Sequence, residues 1–318
     1  MTKRKISKQQ SARVAKIQEN YRKQPKIAGK AEDALVITRF KKHVLVENNQ
    51  GQLLSCTIRA NINSLVAGDK VVFQMETEEQ GIILSAYPRQ TSLERQDKRG
   101  EIKTIAANVS QLMIVIAVKP EISWPLLDSY LIMAERLKLK ACIVLNKIDL
   151  PSTMIRELLL DIYTPLGYET LLVSKGQPET IQALENKLQN ETSVFVGQSG
   201  VGKSSLISKI LPEENNITIG AISTIAELGK HTTSNSKLYH LPLGGQLIDS
   251  PGVREFSLAH LSIKELIRGY PELYKLSEQC KFRNCNHKDS LGCAILRAVN
   301  ENKISKKRYD NFIKLSYA

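Results

Sequence analysis

A glycine-rich loop at residues 197–204 constrains the fold of this chain more than any other segment. It reads GQSGVGKS, follows the apolar run TSVFV and opens the helical run SSLISKIL. In this strand–loop–helix setting, backbone N–H groups cradle phosphates at a helix N-terminus. Lys203 is expected to neutralise the β- and γ-phosphates, and Ser204 to bind Mg²⁺. The predicted nucleotide contacts are Gly197, Gln198, Ser199, Gly200, Val201, Gly202, Lys203, Ser204 and Ser205.

A second motif predicts that the base of the nucleotide is guanine. Asn146, Lys147, Ile148 and Asp149 close the apolar run ACIVL. An ionised Asp149 can accept two hydrogen bonds from the ring N–H and the exocyclic amino group of guanine, and adenine lacks this pair of donors. Lys147 can lay its methylene stem over the base. Ser174, at the end of the run TLLVS, is expected to complete the pocket through backbone contacts.

A third motif supplies groups that respond to the γ-phosphate. Residues 249–252 read DSPG at the end of an apolar run, where Asp249 is expected to hold Mg²⁺ through water and the Gly252 N–H to contact the γ-phosphate. The segment GKHTT, residues 229–233, contains a threonine that can close on Mg²⁺ when the triphosphate is bound, which makes it a candidate switch. The predicted nucleotide contacts here are Thr232, Thr233, Asp249 and Gly252, and the predicted magnesium ligands are Ser204, Thr233 and Asp249.

The order of these motifs along the chain is circularly permuted. Ordinary GTPases carry the phosphate loop first and the guanine motif last, whereas here residues 146–149 and Ser174 precede residues 197–204. Apolar runs such as QLMIVIAV, without polar alternation, predict strands buried on both faces of a parallel sheet. Because all these loops leave the carboxyl edge of that sheet, the pocket survives a permutation. We expect an α/β GTPase domain whose last switch leads directly into the C-terminal region.

Four potential metal ligands cluster in the C-terminal region. Cys280, Cys285, His287 and Cys293 lie within fourteen residues. Three thiolates and one imidazole suit a tetrahedral Zn²⁺ in a closed, structural site with no open position for catalysis. The other two cysteines lie in apolar runs and are expected to be buried free thiols: Cys56 and Cys142.

Residues 31–90 are predicted to form a small β-barrel of OB type. Short alternating runs such as ALVITRF and GDKVVFQME are separated by turn signals, a pattern typical of such barrels. Phe40 lies among cations, so it is a candidate for base stacking as well as for the core. Residues 89–104 are polar and charged and are predicted to be a linker. The C-terminal runs SIKELIRGYPELYKL and AILRAVNENKISKKRYDNFIKL are predicted to be helical.

The positive charge of the chain, +13 net, lies at its two ends. Residues 1–30 contain ten lysines and arginines and one acid, and residues 261–318 contain twelve and six. Two basic ends around a near-neutral body predict contact with nucleic acid at two places, while a solubilising tail is the alternative for residues 1–30. No apolar run approaches the roughly 20 residues of a membrane-spanning helix, and the N-terminus has no apolar signal segment. We expect a cytoplasmic protein without a membrane partner.

These features divide the chain into a basic arm (1–30), an OB-fold domain (31–90), a circularly permuted GTPase domain (91–258) and an α-helical zinc-binding domain (259–318). In this arrangement the chain resembles the RsgA (YjeQ) family of circularly permuted GTPases. The resemblance rests on the permuted order, GKHTT, DSPGVREF and the Cys-Cys-His-Cys spacing. It implies late assembly or quality control of the small ribosomal subunit, contact with its rRNA, and GTP hydrolysis stimulated by that particle. We expect the chain to act as a monomer.

Val253 occupies the position at which many GTPases carry the glutamine that orients the attacking water. Because valine cannot hydrogen-bond, we expect slow turnover by the free protein. The resemblance points to His231 as the residue that positions this water, and a His231 that only packs in the switch is the alternative. Lys203 and Thr233 complete the predicted catalytic set. Lys175 departs from the alanine that is usual for the family after the serine of the base pocket.

Two other functions compete with this one. The first is a permuted GTPase of large-subunit assembly, which assays with the two ribosomal subunits would separate. The second is an RNA-binding scaffold whose GTP site only stabilises the fold. Lys203, Ser204 and Asp249 argue against the scaffold, and turnover stimulated by the ribosome would exclude it.

Overall fold

The structure is a computed structural model, and it describes residues 8–23, 31–41, 43–62, 64–96, 100–211, 236–249, 258 and 261–317. Within these ranges no helix has the length and apolar character needed to cross a membrane. A β-rich region comes first along the chain, an α/β region follows it, and a helical region lies at the C-terminal end. The predicted boundaries at residues 30, 90 and 258 stay predictions.

Five strands close into a barrel: β1 (Glu32–Arg39), β2 (His43–Asn48), β3 (Leu53–Ile58), β4 (Lys70–Met75) and β5 (Gln80–Ala86). Strand β1 pairs with β2 and β4, β2 pairs with β3, and β3 runs parallel to β5, which pairs back with β4. This closed order is that of an OB-type barrel, as predicted. Its interior is filled by fully buried side chains, among them Val36, Val44, Val46, Leu54, Val71 and Phe73.

The basic N-terminal arm contains a helix, α1 (Lys8–Lys23), that packs on the barrel. Arg22 Nη1 donates to a β5 carbonyl at 2.9 Å, and Gln18 Nε2 donates to a carbonyl of the β3–β4 loop at 3.2 Å. Tyr21 packs against an apolar cluster on the outside of the barrel. The helix therefore carries positive charge on the barrel surface, through the exposed residues Arg13, Lys16 and Lys23.

The predicted linker at residues 89–104 is wrong, because this segment forms most of an antiparallel hairpin. Its strands are β6 (Ser92–Gln96) and β7 (Ile102–Ala107). One face of the hairpin is apolar, and Leu93 and Ile105 lie in the main hydrophobic core. The charged residues Arg95 and Lys103, each two positions from Leu93 or Ile105, interrupt this apolar pattern in the sequence. Phe40 packs against the same core, which supports its core interpretation over base stacking.

A parallel sheet forms the centre of the molecule. Its elements are β8 (Gln111–Ala117), α2 (Trp124–Leu137), β9 (Lys140–Asn146), α3 (Thr153–Ile162), β10 (Glu169–Val173), α4 (Pro178–Leu188), β11 (Thr192–Val196), α5 (Lys203–Ile210), β12 (Lys237–His240) and β13 (Gln246–Asp249). The parallel strands lie in the order β10-β9-β8-β11-β13, and every residue of β8 is buried, as expected for a sheet covered on both faces. Strand β12 runs antiparallel to β13 and pairs with β1, which joins this sheet to the barrel.

The C-terminal region consists of short helices: α6 (Ile263–Leu266), α7 (Pro271–Ser277), α8 (Ala294–Asn300) and α9 (Lys306–Ser316). The sequence predicted one basic helix over residues 294–315, but residues 301–305 separate α8 from α9. Asn302 adopts a left-handed conformation there, with φ of 55°, which a continuous helix does not allow. The break turns α9 back so that it packs on α2 of the sheet region.

A buried polar cluster joins α9 to α2. The Arg308 guanidinium forms a salt bridge with Asp128 of α2, and its Nε donates to Glu272 of α7 at 2.8 Å. The side chains of Arg308 and Asp128 are 1% and 0% exposed. The carboxylate of Asp128 accepts three further hydrogen bonds, from Tyr163, Tyr270 and Asn311. Neither charge is left without a partner, so this cluster fixes the C-terminal region to the sheet region.

Candidate functional site: a guanine-nucleotide pocket and a Cys3His cluster

The predicted nucleotide residues meet at the carboxyl edge of the sheet. Strands β9, β11 and β13 run parallel and end at Asn146, Val196 and Asp249. Ser174 directly follows β10, whose last residue, Val173, lies opposite Asn146. Loops that are far apart in the chain therefore leave the sheet side by side. This is the arrangement that the permuted order requires.

The backbone of the phosphate loop needs its glycines. Gly197, Gly200 and Gly202 have φ of 139°, 81° and 99°, which side-chain-bearing residues rarely adopt. A Cβ at Gly197 would lie 2.1 Å from the carbonyl oxygen of Val115, and a Cβ at Gly202 would lie 2.3 Å from Nδ2 of Asn146. Substitution would push the loop away from the strands on which it rests.

Lys203 is the first residue of α5 and folds back over its own loop. Its Nζ donates to the carbonyl oxygens of Gly197 and Gln198, both at 2.6 Å. The ammonium group is thus held at the concave side of the loop, where phosphate oxygens are expected. Ser204 and Ser205 follow at the exposed N-terminus of α5, where the helix dipole favours anions.

The guanine motif is bonded directly to the phosphate loop. Nδ2 of Asn146 donates to the carbonyl oxygen of Val201 at 2.9 Å. Nζ of Lys147 donates to the carbonyl oxygens of Gly200, at 2.8 Å, and of Lys119, at 2.7 Å. The base side and the phosphate side of the pocket therefore form one hydrogen-bonded unit.

Asp149 is the exposed carboxylate at the base end of this unit, and Ser174 orients it. The Ser174 hydroxyl donates to Oδ1 of Asp149 at 2.7 Å. This hydrogen bond lowers the pKa of the Asp149 carboxyl, and the nearby charges of Lys175 and Lys147 lower it further. Asp149 is thereby kept ionised, the state that accepts hydrogen bonds from guanine. Ile148 packs against the hydrophobic core.

One contact of the pocket was not predicted from the sequence. Oε1 of Gln198 accepts a hydrogen bond from the backbone N–H of Ser123 at 2.9 Å, and its Nε2 donates to the carbonyl oxygen of Glu121 at 3.1 Å. The segment 118–123 follows β8, which lies between β9 and β11 in the sheet. Its sequence has no motif, but this position in the strand order brings it to the phosphate loop. Gln198 therefore connects the phosphate loop to the start of α2.

The γ-phosphate side of the pocket is described only in part. Asp249 ends β13, whose residue Ile248 lies opposite Val194 of the strand that precedes the phosphate loop. Four predicted contacts lie outside the described residues, and their roles stay predictions: His231, Thr232, Thr233 and Gly252.

The four potential metal ligands in the C-terminal region face one another. The ligand atoms of Cys280, Cys285, His287 and Cys293 all lie within 4.8 Å of one another. Sγ of Cys280 and Sγ of Cys293 are 4.0 Å apart, and each is 3.7 Å from Nδ1 of His287. A tetrahedron with metal–sulfur bonds of about 2.3 Å has edges of about 3.8 Å. The Cys3His cluster has the donor set and the spacing to hold a metal ion.

Two aromatic residues of α9 hold His287 of the Cys3His cluster in place. The Tyr309 hydroxyl of α9 donates to the carbonyl oxygen of His287 at 2.9 Å, and Phe312 packs against the His287 ring. Burial lowers the pKa of the His287 imidazole and raises the pKa of the Cys293 thiol to about 12.

Cys56 and Cys142, in contrast, are fully buried free thiols, as predicted.

These features are shared with known proteins. The RsgA GTPase family profile matches residues 86–259 of the chain. The small ribosomal subunit biogenesis GTPase RsgA of Actinobacillus pleuropneumoniae serotype 5b (strain L20) is 43% identical, over 99% of this chain and 95% of its own length. The protein of that name from Haemophilus influenzae (strain PittGG) is 42% identical with the same coverage. The chain belongs to the RsgA GTPase family.

Solved structures agree with membership of the RsgA family. YjeQ from Thermotoga maritima is 28% identical, with a TM-score of 0.74 over 90% of this chain and 98% of that one. YloQ, a circularly permuted GTPase, is 26% identical, with a TM-score of 0.72 over 92% of this chain and 96% of that one. The prediction of a circularly permuted GTPase domain is confirmed, and this RsgA-family chain is a GTP hydrolase.

Proposed function

We propose that this GTPase binds the small ribosomal subunit, assists its late maturation and hydrolyses GTP to GDP and phosphate when the subunit stimulates it. The observation that carries the proposal is the 43% identity, over 99% of the chain, to a protein named for small-subunit biogenesis. We assign this role to a monomer that acts in the cytoplasm.

The charge distribution supports an RNA-containing partner. Helix α1 carries exposed cations on the barrel, and α9 carries Lys306, Lys307 and Lys314 at the opposite end of the chain. Two basic surfaces on separate regions allow one molecule to contact rRNA at two places. Binding to the subunit should therefore weaken steeply as salt is raised.

The ions and the catalytic groups are assigned as follows. Zn²⁺ in the Cys3His cluster supplies folding free energy to the C-terminal region. Ser204, Thr233 and Asp249 would hold the Mg²⁺ ion that accompanies GTP. Lys203 stabilises charge on the phosphates, and His231 positions the attacking water in place of the usual glutamine.

The experiment that tests this function compares GTP hydrolysis by the full chain alone, with purified small subunits and with purified large subunits. We expect stimulation of about two orders of magnitude or more by small subunits, because supplying missing transition-state contacts has effects of roughly 10³–10⁵ in other GTPases. Lys203→Ala should abolish the rate under every condition. Stimulation by large subunits alone would assign the chain to large-subunit assembly. Absence of turnover with either particle would favour the RNA-binding scaffold.

A His231→Ala variant in the same assay tests the catalytic assignment. It should keep the GTP affinity of the parent and lose most of the stimulated rate, because positioning the water matters in the transition state and not in the ground state. A variant that is as fast as the parent on the small subunit would leave His231 as a packing residue of the switch.

A further inference from the structure

The side chain of Gln198 leaves the phosphate loop and bonds to the segment before α2. Its Oε1 accepts a hydrogen bond from the backbone N–H of Ser123 at 2.9 Å, and its Nε2 donates to the carbonyl oxygen of Glu121 at 3.1 Å. Two hydrogen bonds, one at each side of the planar amide, fix both its position and its orientation. We propose that Gln198 is a positioning residue for GTP hydrolysis, which places Lys203 and connects it to helix α9.

The backbone of Gln198 holds the ammonium group of Lys203. Nζ of Lys203 donates to the carbonyl oxygens of Gln198 and of its neighbour Gly197, both at 2.6 Å. Because the lysine side chain is a flexible four-carbon stem, its acceptors decide where its charge lies. A shift of the Gln198 peptide therefore shifts the charge beside the β- and γ-phosphates, and a misplacement of about 1 Å can cost roughly 10²-fold in rate. This step rests on the role proposed above for Lys203.

The segment bonded to Gln198 leads directly into a contact with α9. Trp124, the first residue of α2, follows Ser123, and Nζ of Lys307 on α9 lies 4.6 Å from the centre of the indole ring. A cation at this distance from an aromatic ring is attracted to its face. The indole also stacks on Tyr163, with ring centres 6.1 Å apart and planes 17° apart. The start of α2 is thus held between the phosphate loop and α9.

The next residue of α9 holds α2 about one helical turn further on. Arg308 forms its buried salt bridge with Asp128, so consecutive residues of α9 contact the first turns of α2. Only the peptide between Ser123 and Trp124 separates these contacts from the hydrogen bonds to Gln198. The phosphate loop and α9 are therefore connected through one helix end, without a flexible loop between them.

Coupling between two sites acts in both directions. A nucleotide that fixes the phosphate loop should change the surroundings of Trp124, and loss of the Lys307 contact should change the affinity for nucleotide. Trp124 is the only tryptophan in the chain, so the intrinsic fluorescence of the full protein reports on this junction. A Gln198 that only stabilised the fold would not link nucleotide binding to Trp124.

The variant for the test is Gln198→Met, which keeps the length of the side chain and removes both hydrogen bonds. Its matched control is Gln182→Met on α4, where Nε2 of Gln182 donates to Asn186 on the exposed surface at 3.1 Å. The first measurement titrates GDP with Mg²⁺ and follows tryptophan emission. We expect a saturable change in the parent and the control and none in Gln198→Met at saturating GDP. An emission that does not respond in the parent, or that responds equally in Gln198→Met, overturns the connection to α9.

The second measurement is GTP hydrolysis by the free protein in single turnover. We expect Gln198→Met to lower kcat roughly tenfold and to change KM less, because a displaced Lys203 matters most in the transition state. Equal kcat in Gln198→Met and Gln182→Met overturns the positioning role. A Lys203→Ala variant that hydrolyses GTP at the parent rate would instead remove the role proposed for Lys203 itself.

The third measurement is a double-mutant cycle with Lys307→Met, which removes the cation and keeps the tryptophan. Lys307→Met alone should weaken GDP binding a few-fold. Independent substitutions multiply within about twofold. Because the effect of Lys307 reaches the pocket through Gln198, we expect Gln198→Met/Lys307→Met to bind GDP as tightly as Gln198→Met alone. Effects that multiply, or a Lys307→Met variant that binds GDP as the parent does, overturn the connection to α9.

Discussion

In the nucleotide pocket the functional residues come from loops between residues 146 and 249, whereas the ligands of the Cys3His cluster lie within fourteen residues. The pocket residues are fixed by a parallel sheet and by hydrogen bonds to one another, such as Asn146 to Val201 and Lys147 to Gly200. The Cys3His cluster lies in loops between α7 and α8. The fold itself therefore fixes the residues of the long-range site, whereas we expect the local site to depend on the proposed metal ion to hold its chain segments together.

The largest effect should follow loss of the metal. Cys280→Ser/Cys285→Ser removes two of the four ligands, and zinc binding of this kind contributes on the order of 10 kcal/mol to folding. We expect the variant to lose stoichiometric zinc in metal analysis. Hydrogen exchange should become fast over residues 261–317 and stay slow over the sheet strands.

The control for this prediction is Cys56→Ala, which removes a buried thiol outside the Cys3His cluster and should leave the metal content unchanged. GDP affinity of the double variant should stay close to that of the parent, because the pocket is formed by the sheet. Zinc retained in the double variant, or a simultaneous loss of GDP binding, would contradict the contrast between the two sites.

The second effect concerns the buried link between the two regions. Arg308→Ala leaves Asp128 as a buried charge without its main partner, and breaking such a pair costs about 3–5 kcal/mol in the free energy of unfolding. Chemical denaturation measures this loss. The matched control is Lys306→Ala on the same helix, because Lys306 pairs with Asp310 on the exposed surface, where a pair contributes about 0–1 kcal/mol.

The Arg308→Ala variant also tests whether the nucleotide pocket and the C-terminal region are coupled. Helix α2 carries Asp128 and begins just after Ser123, whose backbone is hydrogen-bonded to Gln198 of the phosphate loop. A change in GTP affinity on the folded variant would show that α2 transmits between the nucleotide pocket and the C-terminal region. Equal losses of stability in Arg308→Ala and Lys306→Ala would mean that the buried pair does not hold the two regions together.

The residues that the sequence revealed are those with a local signal. Gly197, Asp149 and Cys280 belong to short motifs, and the strands of the barrel and sheet follow apolar periodicity. The sequence did not reveal contacts between distant positions: nothing in α2 distinguishes Asp128 from its other polar residues, and its partner Arg308 lies 180 residues later. The β6–β7 hairpin was missed for a related reason, because Arg95 and Lys103 interrupt its apolar alternation.

The third effect is on base selectivity. Asp149→Asn replaces the acceptor of two guanine donors with an amide that can accept at one side and donate at the other. We expect guanine selectivity over xanthine to fall by at least about tenfold, with xanthine nucleotides favoured. Competition binding with GDP, XDP and ADP measures this change. A variant that discriminates as the parent does would remove Asp149 from the base pocket.

The smallest effect should come from Ser174→Ala, which leaves Asp149 in place and removes the hydroxyl that orients it. At neutral pH the carboxylate is ionised in both proteins, so we expect GDP to bind only a few-fold more weakly in the variant. In the parent, the hydrogen bond from Ser174 is the main cause that lowers the pKa of Asp149. Without it the pKa rises towards its ordinary value.

Because guanine requires the ionised carboxylate, the rise in pKa has a defined consequence for pH dependence. As the pH falls, Asp149 of the variant is protonated first, so its GDP affinity should be lost at a higher pH than that of the parent. Titrations with a fluorescent GDP analogue between about pH 4 and pH 7 cover the range in which aspartate titrates. Ser277→Ala, which removes an exposed hydroxyl bonded to Tyr274 in the C-terminal region, should behave as the parent. If GDP affinity is lost at the same pH in Ser174→Ala and in the parent, Ser174 does not keep Asp149 ionised. The base end of the pocket would then be less preorganised than its phosphate end.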